Sequence, residues 1–262
     1  MRVALVGWGA IARTASRLLA GAPVEIVAVA VRAGSGPHSD LPGLARLITD
    51  PDELASTRPD VVAEAAGRES VGPWGRAALL AGADLIVSSA SAFADTALLE
   101  ELLGIAAGHG AHVQVHPGAI GAVDALAAAS IMGLESVEHR VIKPPVAWRG
   151  TPAEDRCDLD DLDGPEVLFA GTATDAASQF PKNANVVVTT ALAGVGLEAT
   201  QVRLVADPMA TGNRHEITAI GGFGRLEFTI SGHPLPDNPK SSTMAALNLV
   251  RGIRNRSSPL VL

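Results

Sequence analysis

The chain has 262 residues, of which 47% are hydrophobic and 18% charged, and its formal net charge is −8. An acidic chain with three Trp, five Phe and no Tyr lacks the cations and stacking platforms of a nucleic-acid surface, so we expect a small-molecule partner. No apolar run approaches the roughly 20 residues that cross a bilayer, and glycines interrupt the first apolar run too early for a signal peptide. We therefore expect a cytoplasmic protein without membrane contact. The single Cys157 excludes an internal disulfide framework and is expected to be a bystander.

The first part of the chain alternates apolar strands with helices. Strands are predicted at 2–6, 24–31, 60–65, 84–88 and 111–115, and helices at 10–20, weakly at 40–57, and at 70–82 and 95–108. Strands that are apolar almost throughout are typical of a parallel sheet covered on both faces. The fold class is therefore α/β, with an N-terminal Rossmann-type, doubly wound dinucleotide-binding domain predicted over residues 1–117.

The pattern changes after residue 117. One helix is predicted at 121–132, and the runs 135–142, 200–206 and 215–231 alternate apolar and polar residues, as strands with one wet face do. These features predict a C-terminal α+β substrate domain over 118–237. A last helix at 241–254 begins with serines and ends in arginines, and we expect the tail from 238 to 262 to pack back on the first domain.

Residues 151–166 are rich in Asp and Glu. The spacing of these acids lacks the glycine and the distal glutamate of a calcium loop, which favours a solvated surface loop over a metal site. We therefore predict no metal.

A glycine motif lies between the first strand and the first helix. Gly7, Gly9 and Ala12 form G-x-G-x-x-A, in which Gly7 allows a tight turn and Gly9 lets a diphosphate approach the backbone. The amides of Ala10 and Ile11 at the helix start would meet the anion. We predict dinucleotide binding here, with an ordinary structural turn as the alternative. We also expect Ala66, which directly follows the strand at 60–65, to contact the cofactor.

The end of the second strand bears on the choice of cofactor. It reads Val31-Arg32-Ala33, without the acid that accepts hydrogen bonds from an adenosine ribose. Arg32 can instead pair with a 2′-phosphate, which favours NADP over NAD. A solvated arginine in a loop is the alternative.

Four stretches of sequence resemble the L-aspartate dehydrogenase family. They are GAIGAVDAL at 118–126, KPPVAWRGTP at 143–152, FPKNANVVVTTALAG at 180–194 and ADPMATGNRHEITAIGGFG at 206–224. The resemblance implies NAD(P)-dependent, reversible oxidative deamination of L-aspartate to iminosuccinate or to oxaloacetate and ammonia. It also suggests that iminosuccinate is released as a precursor for NAD biosynthesis. It also implies that Ala119 and Asn185 contact the nicotinamide half of the cofactor, that His215 is catalytic, and that the chain is a homodimer whose contacts lie in the second domain.

The sequence departs from the family pattern in three places. An acid is usual at the end of the second strand, where this chain has Val31-Arg32; the run SSASAF at 88–93 replaces a valine-glycine form; and His116-Pro117 replaces a proline-serine pair. These departures leave open a dehydrogenase or imine reductase for another small amino acid. A noncatalytic dinucleotide sensor is a further alternative, disfavoured because His215 would serve no purpose there.

Three polar residues are candidates for the chemistry. His215 follows a turn and opens an alternating strand, and the usual pKa of histidine, near 6.5, suits proton transfer. Lys182 and Asn183 follow Phe180-Pro181, where they could hold a substrate carboxylate; a capping Asn beside a surface Lys is the alternative. His38, His109, His139 and His233 are predicted to be solvated in loops or on wet strand faces, and His112 and His116, four apart in a strand, are too far apart to predict a metal site.

Overall fold

The computed structural model describes residues 1–36, 38, 40–43 and 45–261, and for Lys182, Pro239 and Lys240 it describes the backbone only. The chain forms two compact units. The first comprises residues 1–116 and 245–262, and the second comprises 117–244. Residues 238–244, assigned above to the tail of the dinucleotide domain, thus belong to the second unit.

The first unit contains a six-stranded sheet and three helices before its C-terminal tail. The strands are β1 (Arg2–Val6), β2 (Glu25–Ala30), β3 (Arg46–Ile48), β4 (Val61–Glu64), β5 (Asp84–Val87) and β6 (Val113–Val115). The helices are α1 (Ala10–Leu18), α2 (Arg68–Leu80) and α3 (Thr96–His109). The weak helix predicted over 40–57 is wrong: this segment holds the short strand β3 and a 3-10 helix at Pro51–Thr57.

All strand pairs of this sheet are parallel, and the order is β3-β2-β1-β4-β5-β6. This is the strand order of a Rossmann sheet, and it confirms the predicted fold class. The order reverses between β1 and β4, so the loops that follow these two strands flank the crevice in which such sheets bind ligands.

The core of the first unit includes the last helix of the chain. Buried Val3, Leu5 and Ile86 from the sheet lie in one apolar cluster with Leu249 and Ile253. The latter two belong to α7 (Thr243–Arg254), whose apolar stripe packs against the sheet while its last turn carries arginines. Burial of this stripe holds the tail in the first unit.

The second unit contains a mixed five-stranded sheet, a small two-stranded sheet and three helices. Its elements are α4 (Val123–Ser130), β7 (Leu134–Lys143), β8 (Glu166–Thr172), α5 (Ala173–Gln179), α6 (Ala184–Ala193), β9 (Gln201–Ala206), β10 (Asn213–Gly221), β11 (Gly224–Gly232), β12 (Pro234–Leu235) and β13 (Asn238–Ser242). The strand order of the larger sheet is β11-β10-β7-β9-β8. All pairs are antiparallel except β7 with β9, which is parallel.

Alternation along β7 and β10 separates two faces of the larger sheet. Val137 and Val141 of β7 and Ile217 of β10 are buried, whereas Glu138 and Glu216 on the opposite face are half-buried. The predicted α+β architecture with one wet sheet face is confirmed. Within the described part of the chain, no helix is long and apolar enough to cross a membrane.

Candidate active site

The glycine turn after β1 has the conformation that the motif predicts. Gly7 has φ +95°, and a Cβ there would lie 2.8 Å from the carbonyl oxygen of Ala65, so only glycine fits. Gly9 precedes α1 in an extended conformation, and no described atom lies within 4 Å of the Cβ that an alanine would add. The first amides of α1, those of Ala10 and Ile11, have no partner one turn back in a helix. In the described structure no side chain caps this helix, so the turn presents an open, positively polarised end to an anion.

The turn after β4 differs from the glycine turn after β1, because a carboxylate binds its backbone amides. Gly67 has φ +137° and precedes α2 without a side-chain cap among the described residues. The amides of Ala66 and Gly67 both donate to Glu64 Oε1 at 2.8 Å. The amide of Ala66, predicted to contact the cofactor, is therefore committed to a carboxylate. Any contact that Ala66 makes with the cofactor would use its carbonyl, its Cα or its methyl group.

Glu64 is a buried residue of this turn that the sequence analysis missed. Its side chain is fully buried at the end of β4. Besides the two amides, Ser89 Oγ donates to Oε1 at 2.9 Å and the Ser89 amide donates to Oε2 at 3.0 Å, while Ser70 Oγ shares its proton between Oε1 at 3.0 Å and the Gly67 carbonyl oxygen at 2.6 Å. One carboxylate thus fixes the loops after β4 and β5 together. A lone acid that ends an otherwise apolar strand, as in Val61-Val62-Ala63-Glu64, was the available signal.

The loop after β2 is fastened to the glycine turn. Trp8 Nε1 donates to Asp40 Oδ1 at 3.0 Å, and Arg13 Nε lies 3.4 Å from Asp40 Oδ2. Arg32 lies exposed just beyond β2. Gly9 with its open space, the uncapped start of α1 and this fastened loop follow one another around a single edge of the sheet, as a dinucleotide requires. The residues present therefore fit a nicotinamide dinucleotide.

Two of the departures from the family pattern contact each other. His116 Nε2 lies 2.6 Å from Ser88 Oγ, which joins the segment after β6 to the segment after β5. His116 is buried, and burial lowers its pKa to about 4. The imidazole is therefore neutral near pH 7. These two changes from the family pattern form one polar contact rather than two separate alterations.

His215 lies on the buried face of the second unit's larger sheet. It is the third residue of β10 and is 4% exposed. The register places it opposite Val141 of β7 on one side and Ile230 of β11 on the other. Its imidazole thus lies among apolar neighbours while sitting near the start of its strand.

His139 approaches His215 from the neighbouring strand. His139 Nε2 lies 3.2 Å from His215 Nδ1, and Thr190 Oγ1 of α6 lies 3.0 Å from His139 Nδ1. The prediction that His139 is solvated is wrong, because the ring is fully buried. The sequence did contain a signal for this burial. Every second residue of a strand lies on the same face, so His139 shares a face with Val137 and Val141.

Burial sets the protonation of both rings. It lowers the pKa of His139 to about 3. Burial also holds the pKa of His215 well below its usual value, and the nearby His139 and Lys143 lower it further. Both imidazoles are therefore neutral near pH 7. A neutral imidazole has one lone pair with which to take up a proton.

Lys143 is a second residue that sequence reasoning missed. It ends β7 two residues beyond Val141, and its ammonium donates to Asn183 Oδ1, the amide side chain just before α6. Nζ also lies 5.3 Å from the centre of the Trp148 ring. Burial lowers the pKa of Lys143 to about 8, so the group still carries its charge near pH 7. The site therefore contains one buried cation close to a neutral imidazole.

The remaining predicted residues lie around the start of α6. Asn185 is in the first turn of α6, and a Cβ on Gly118 would lie 3.9 Å from Val186 Cγ1, which places Ala119 next to that turn. Asn183 meets Lys143, as described above. The side chain of Lys182 lies outside the described structure.

The acidic segment 151–166 lies largely at the surface. Most of its side chains are exposed. Burial raises the pKa of the Cys157 thiol, and the charges of Glu166 and Asp158 raise it further, so Cys157 is not an activated thiolate, as predicted. Among the described residues, no group of three or more His, Cys, Asp or Glu side chains could hold a metal ion.

Known proteins resemble the chain over its whole length. The family profile described as "Aspartate dehydrogenase, C-terminal" matches residues 124–256, and the profile "Homoserine dehydrogenase, NAD binding domain" matches residues 7–116. The L-aspartate dehydrogenase of Brucella anthropi is 52% identical over 262 residues, which cover 99% of this chain and 98% of that protein. The Pseudomonas aeruginosa L-aspartate dehydrogenase is 40% identical over 261 residues, covering 98% of each chain.

Solved structures of dehydrogenases also match the chain over nearly its whole length. The crystal structure of aspartate dehydrogenase from Thermotoga maritima matches with a TM-score of 0.78 and 28% identity, covering 100% of this chain and 99% of that one. A hyperthermophilic archaeal homoserine dehydrogenase in complex with NADPH shares the fold, with a TM-score of 0.61 and 11% identity over 97% of this chain and 96% of that one. The first unit binds a nicotinamide dinucleotide, and the substrate is an amino acid. The chain belongs to the L-aspartate dehydrogenase family.

Proposed function

We propose that the chain oxidises L-aspartate with NAD(P)⁺ and water, giving oxaloacetate, ammonia and NAD(P)H, and that it runs the reverse reductive amination. The observation that carries the proposal is the buried pair of groups in the second unit, a neutral His215 close to a charged Lys143. When bound, the cofactor supplies one piece of chemistry, which is to accept a hydride from the substrate Cα. The chain's own residues must do the rest.

Lys143 is the group that holds a substrate carboxylate. Its burial raises the cost of leaving the ammonium unpaired, so an anion that reaches it gains more than it would from a solvated lysine. Asn183, already hydrogen-bonded to Nζ, fixes the direction of the ammonium and offers amide protons to the same anion. The sequence predicts this role for Lys182 and Asn183, and we propose Lys143 in place of Lys182 because its buried ammonium contacts Asn183.

His215 is the acid–base group. A neutral imidazole with a depressed pKa takes a proton from the substrate nitrogen or from the water that attacks iminosuccinate, and returns it when ammonia leaves. The ring is only 4% exposed, so bulk water has little access to it. The free nitrogen of the imidazole therefore exchanges protons with the reacting groups rather than with bulk water.

A panel of amino acids tests the substrate. L-aspartate, D-aspartate, L-asparagine, L-glutamate, L-alanine and L-homoserine are each supplied with NAD⁺ or NADP⁺, and the reduced cofactor is followed by its absorbance. L-aspartate should give the highest kcat/KM, and L-asparagine should be far poorer because its amide cannot pair with Lys143. A higher kcat/KM for another amino acid would support the alternative dehydrogenase. Tight cofactor binding without turnover of any of the six would support the dinucleotide sensor.

We propose that NADP binds more tightly than NAD, because Arg32 stands exposed beyond β2 where an acid would favour NAD. Arg32→Ala should narrow the difference between the two cofactors by about 1–2 kcal/mol, the range for a hydrogen bond to a charged group. Arg17→Ala, which removes an exposed arginine from the far end of α1, is the matched control. Equal dissociation constants for NAD and NADP in the unmodified protein would contradict the preference.

We also propose that the chain is a homodimer, as the family resemblance implies. The wet face of the larger sheet in the second unit carries an ion pair between Arg140 and Glu216 at 2.7 Å and another between Arg203 and Glu138 at 3.2 Å. These paired charges, three half-buried and Arg203 exposed, suit a polar contact with a second copy. Light scattering after size exclusion should give twice the chain mass of 26.7 kDa. A single-chain mass at micromolar concentration would contradict the dimer.

A further inference from the structure

The hydrogen bonds around His215 begin at a helix carbonyl. Thr190 Oγ1 donates its one proton to the carbonyl oxygen of Val186, one turn back in α6, at 3.0 Å. A hydroxyl group has a single proton to give. Toward His139, which lies 3.0 Å away, Thr190 Oγ1 can therefore only accept.

This direction of donation determines the proton position on each ring. His139 must carry its proton on Nδ1 in order to donate to Thr190, and a neutral ring then has a lone pair on Nε2. His215 Nδ1, 3.2 Å from that lone pair, must be the donor. The remaining nitrogen of His215, Nε2, is left with the lone pair.

We propose that His139, together with Thr190, is a positioning residue that holds His215 in the tautomer with the proton on Nδ1 and the lone pair on Nε2. The inference rests on the proposed acid–base role of His215. It adds that the ring is ready to accept a proton at one particular nitrogen before the substrate binds.

The hydrogen-bonded groups that orient His215, Thr190 and His139, carry no charge. In a serine-protease triad a carboxylate fixes the imidazole tautomer and also stabilises the imidazolium. Here the orienting group is a fully buried, neutral imidazole. It fixes the tautomer without stabilising a charged His215, so the pKa of His215 stays low and the acquired proton is passed on readily.

The surroundings of His215 leave few other groups to set its state. Among the side chains that the structure describes, the titratable groups that act on it are His139 and Lys143, both on β7. From β11 it faces Ile230, and Thr190 of α6 acts on it only through His139. Arg214 and Glu216, its neighbours along β10, alternate to the opposite face.

Valine and serine at position 190 provide the test. Thr190→Val keeps the shape and removes the acceptor, so His139 is free to move its proton to Nε2 and donate to His215 Nδ1, which reverses the tautomer of His215. Thr190→Ser returns the hydroxyl. Thr189→Val is the matched control, because Thr189 is buried on the same helix and makes the same kind of bond, to the carbonyl oxygen of Asn185 at 2.9 Å.

Nitrogen-15 NMR of the histidine-labelled full-length protein reports the tautomer directly, and steady-state kinetics report its consequence. We expect the Nδ1–H form of His215 in the unmodified protein, in Thr190→Ser and in Thr189→Val, and a shift toward Nε2–H in Thr190→Val. The kcat of Thr190→Val should fall about 10-fold, and that of His139→Phe about 100-fold, with KM for aspartate changed less than about threefold.

Each outcome bears on one claim. An Nε2–H form of His215 in the unmodified protein, or an equal loss of kcat in Thr190→Val and Thr189→Val, would overturn the positioning role. A tautomer that reverses in Thr190→Val while kcat stays unchanged supports the positioning role and overturns the proposed catalytic role of His215. Thermal unfolding of all four variants separates these results from a loss of folding.

Discussion

The two ligand-binding regions of this chain use different groups: backbone amides in the first unit and side chains in the second. In the first unit, the glycine turn offers backbone amides from one short segment, between Gly7 and the first turn of α1. In the second unit, the working groups are side chains brought together across the sheet, with His139 and His215 76 residues apart in sequence. Binding of a diphosphate needs many weak donors in a fixed array, which a helix start supplies locally. Proton transfer needs one group with an altered pKa, which burial and the neighbouring side chains of the folded chain supply together.

The largest effect should separate the two regions in a single variant. His215→Ala removes the acid–base group, so kcat for aspartate oxidation should fall about 10²–10⁴-fold. The dissociation constant for NADP should change little, because the diphosphate and adenosine are held by the first unit. Absorbance assays and fluorescence titration on one preparation measure both quantities. If His215→Ala folds and keeps an activity within a few-fold of the unmodified protein, His215 is not the catalytic residue.

Acid should act on both regions, because each contains a buried neutral histidine. The folded-state pKa of His116 is about 4, below the value near 6.5 of an unfolded chain. As the pH falls from 6.5 toward 4, the unfolded chain takes up a proton that the folded chain refuses, and stability is lost. For His116 alone this loss is roughly 3 kcal/mol.

Replacing the histidines one at a time tests this origin. His116→Gln should reduce the loss of thermal stability between pH 6.5 and 4, followed by circular dichroism. The exposed His109→Gln should leave the loss as it is in the unmodified protein. The same acid sensitivity in His116→Gln and in the unmodified protein would show that burial of His116 is not its source.

A single methyl group added at Gly9 should affect dinucleotide binding by the first unit and leave the chemistry of the second unit unchanged. At Gly9 an alanine fits without strain, because the residue is extended and the added Cβ meets no described atom within 4 Å. That methyl would enter the space expected for the diphosphate, so NADP affinity should fall about 10-fold, the loss of roughly one charge-assisted hydrogen bond. The kcat at saturating cofactor should change little.

Gly108→Ala is the control for that substitution. Gly108 lies in α3, and the Cβ that an alanine would add there also meets no described atom within 4 Å. It should leave the NADP affinity unchanged and raise stability by about 0.5–1 kcal/mol. Equal NADP affinity in Gly9→Ala and the unmodified protein would place the diphosphate elsewhere.

The smallest effect concerns a side-chain contact within the first unit. Ser88→Ala and His116→Gln should each destabilise the protein, and the double variant should fall short of their sum by about 1 kcal/mol, the coupling of one buried hydrogen bond. Chemical denaturation measures the three differences. Ser88→Ala combined with His109→Gln should be additive. Additivity in the first pair would mean that the two departures from the family pattern are independent.

The sequence by itself determined the features that depend on near neighbours. The turn at Gly7 and Gly9, the alternation of parallel strands with helices, and the two-residue alternation along β7 and β10 all follow from local conformation and periodicity, and the structure contains them. The three-residue strand β3 escaped prediction because its backbone bonds to β2, not its own composition, make it a strand.

Only the tertiary structure decided which polar groups are buried and which of them meet. Glu64 gathers donors from two loops, Lys143 reaches Asn183 across 40 residues, and His139 meets His215 across 76. A strand's alternation tells which face a side chain takes, but the packing of other elements decides whether that face excludes water. Because burial lowers the pKa of His139, His215 and Lys143, their chemistry depends on the fold as a whole.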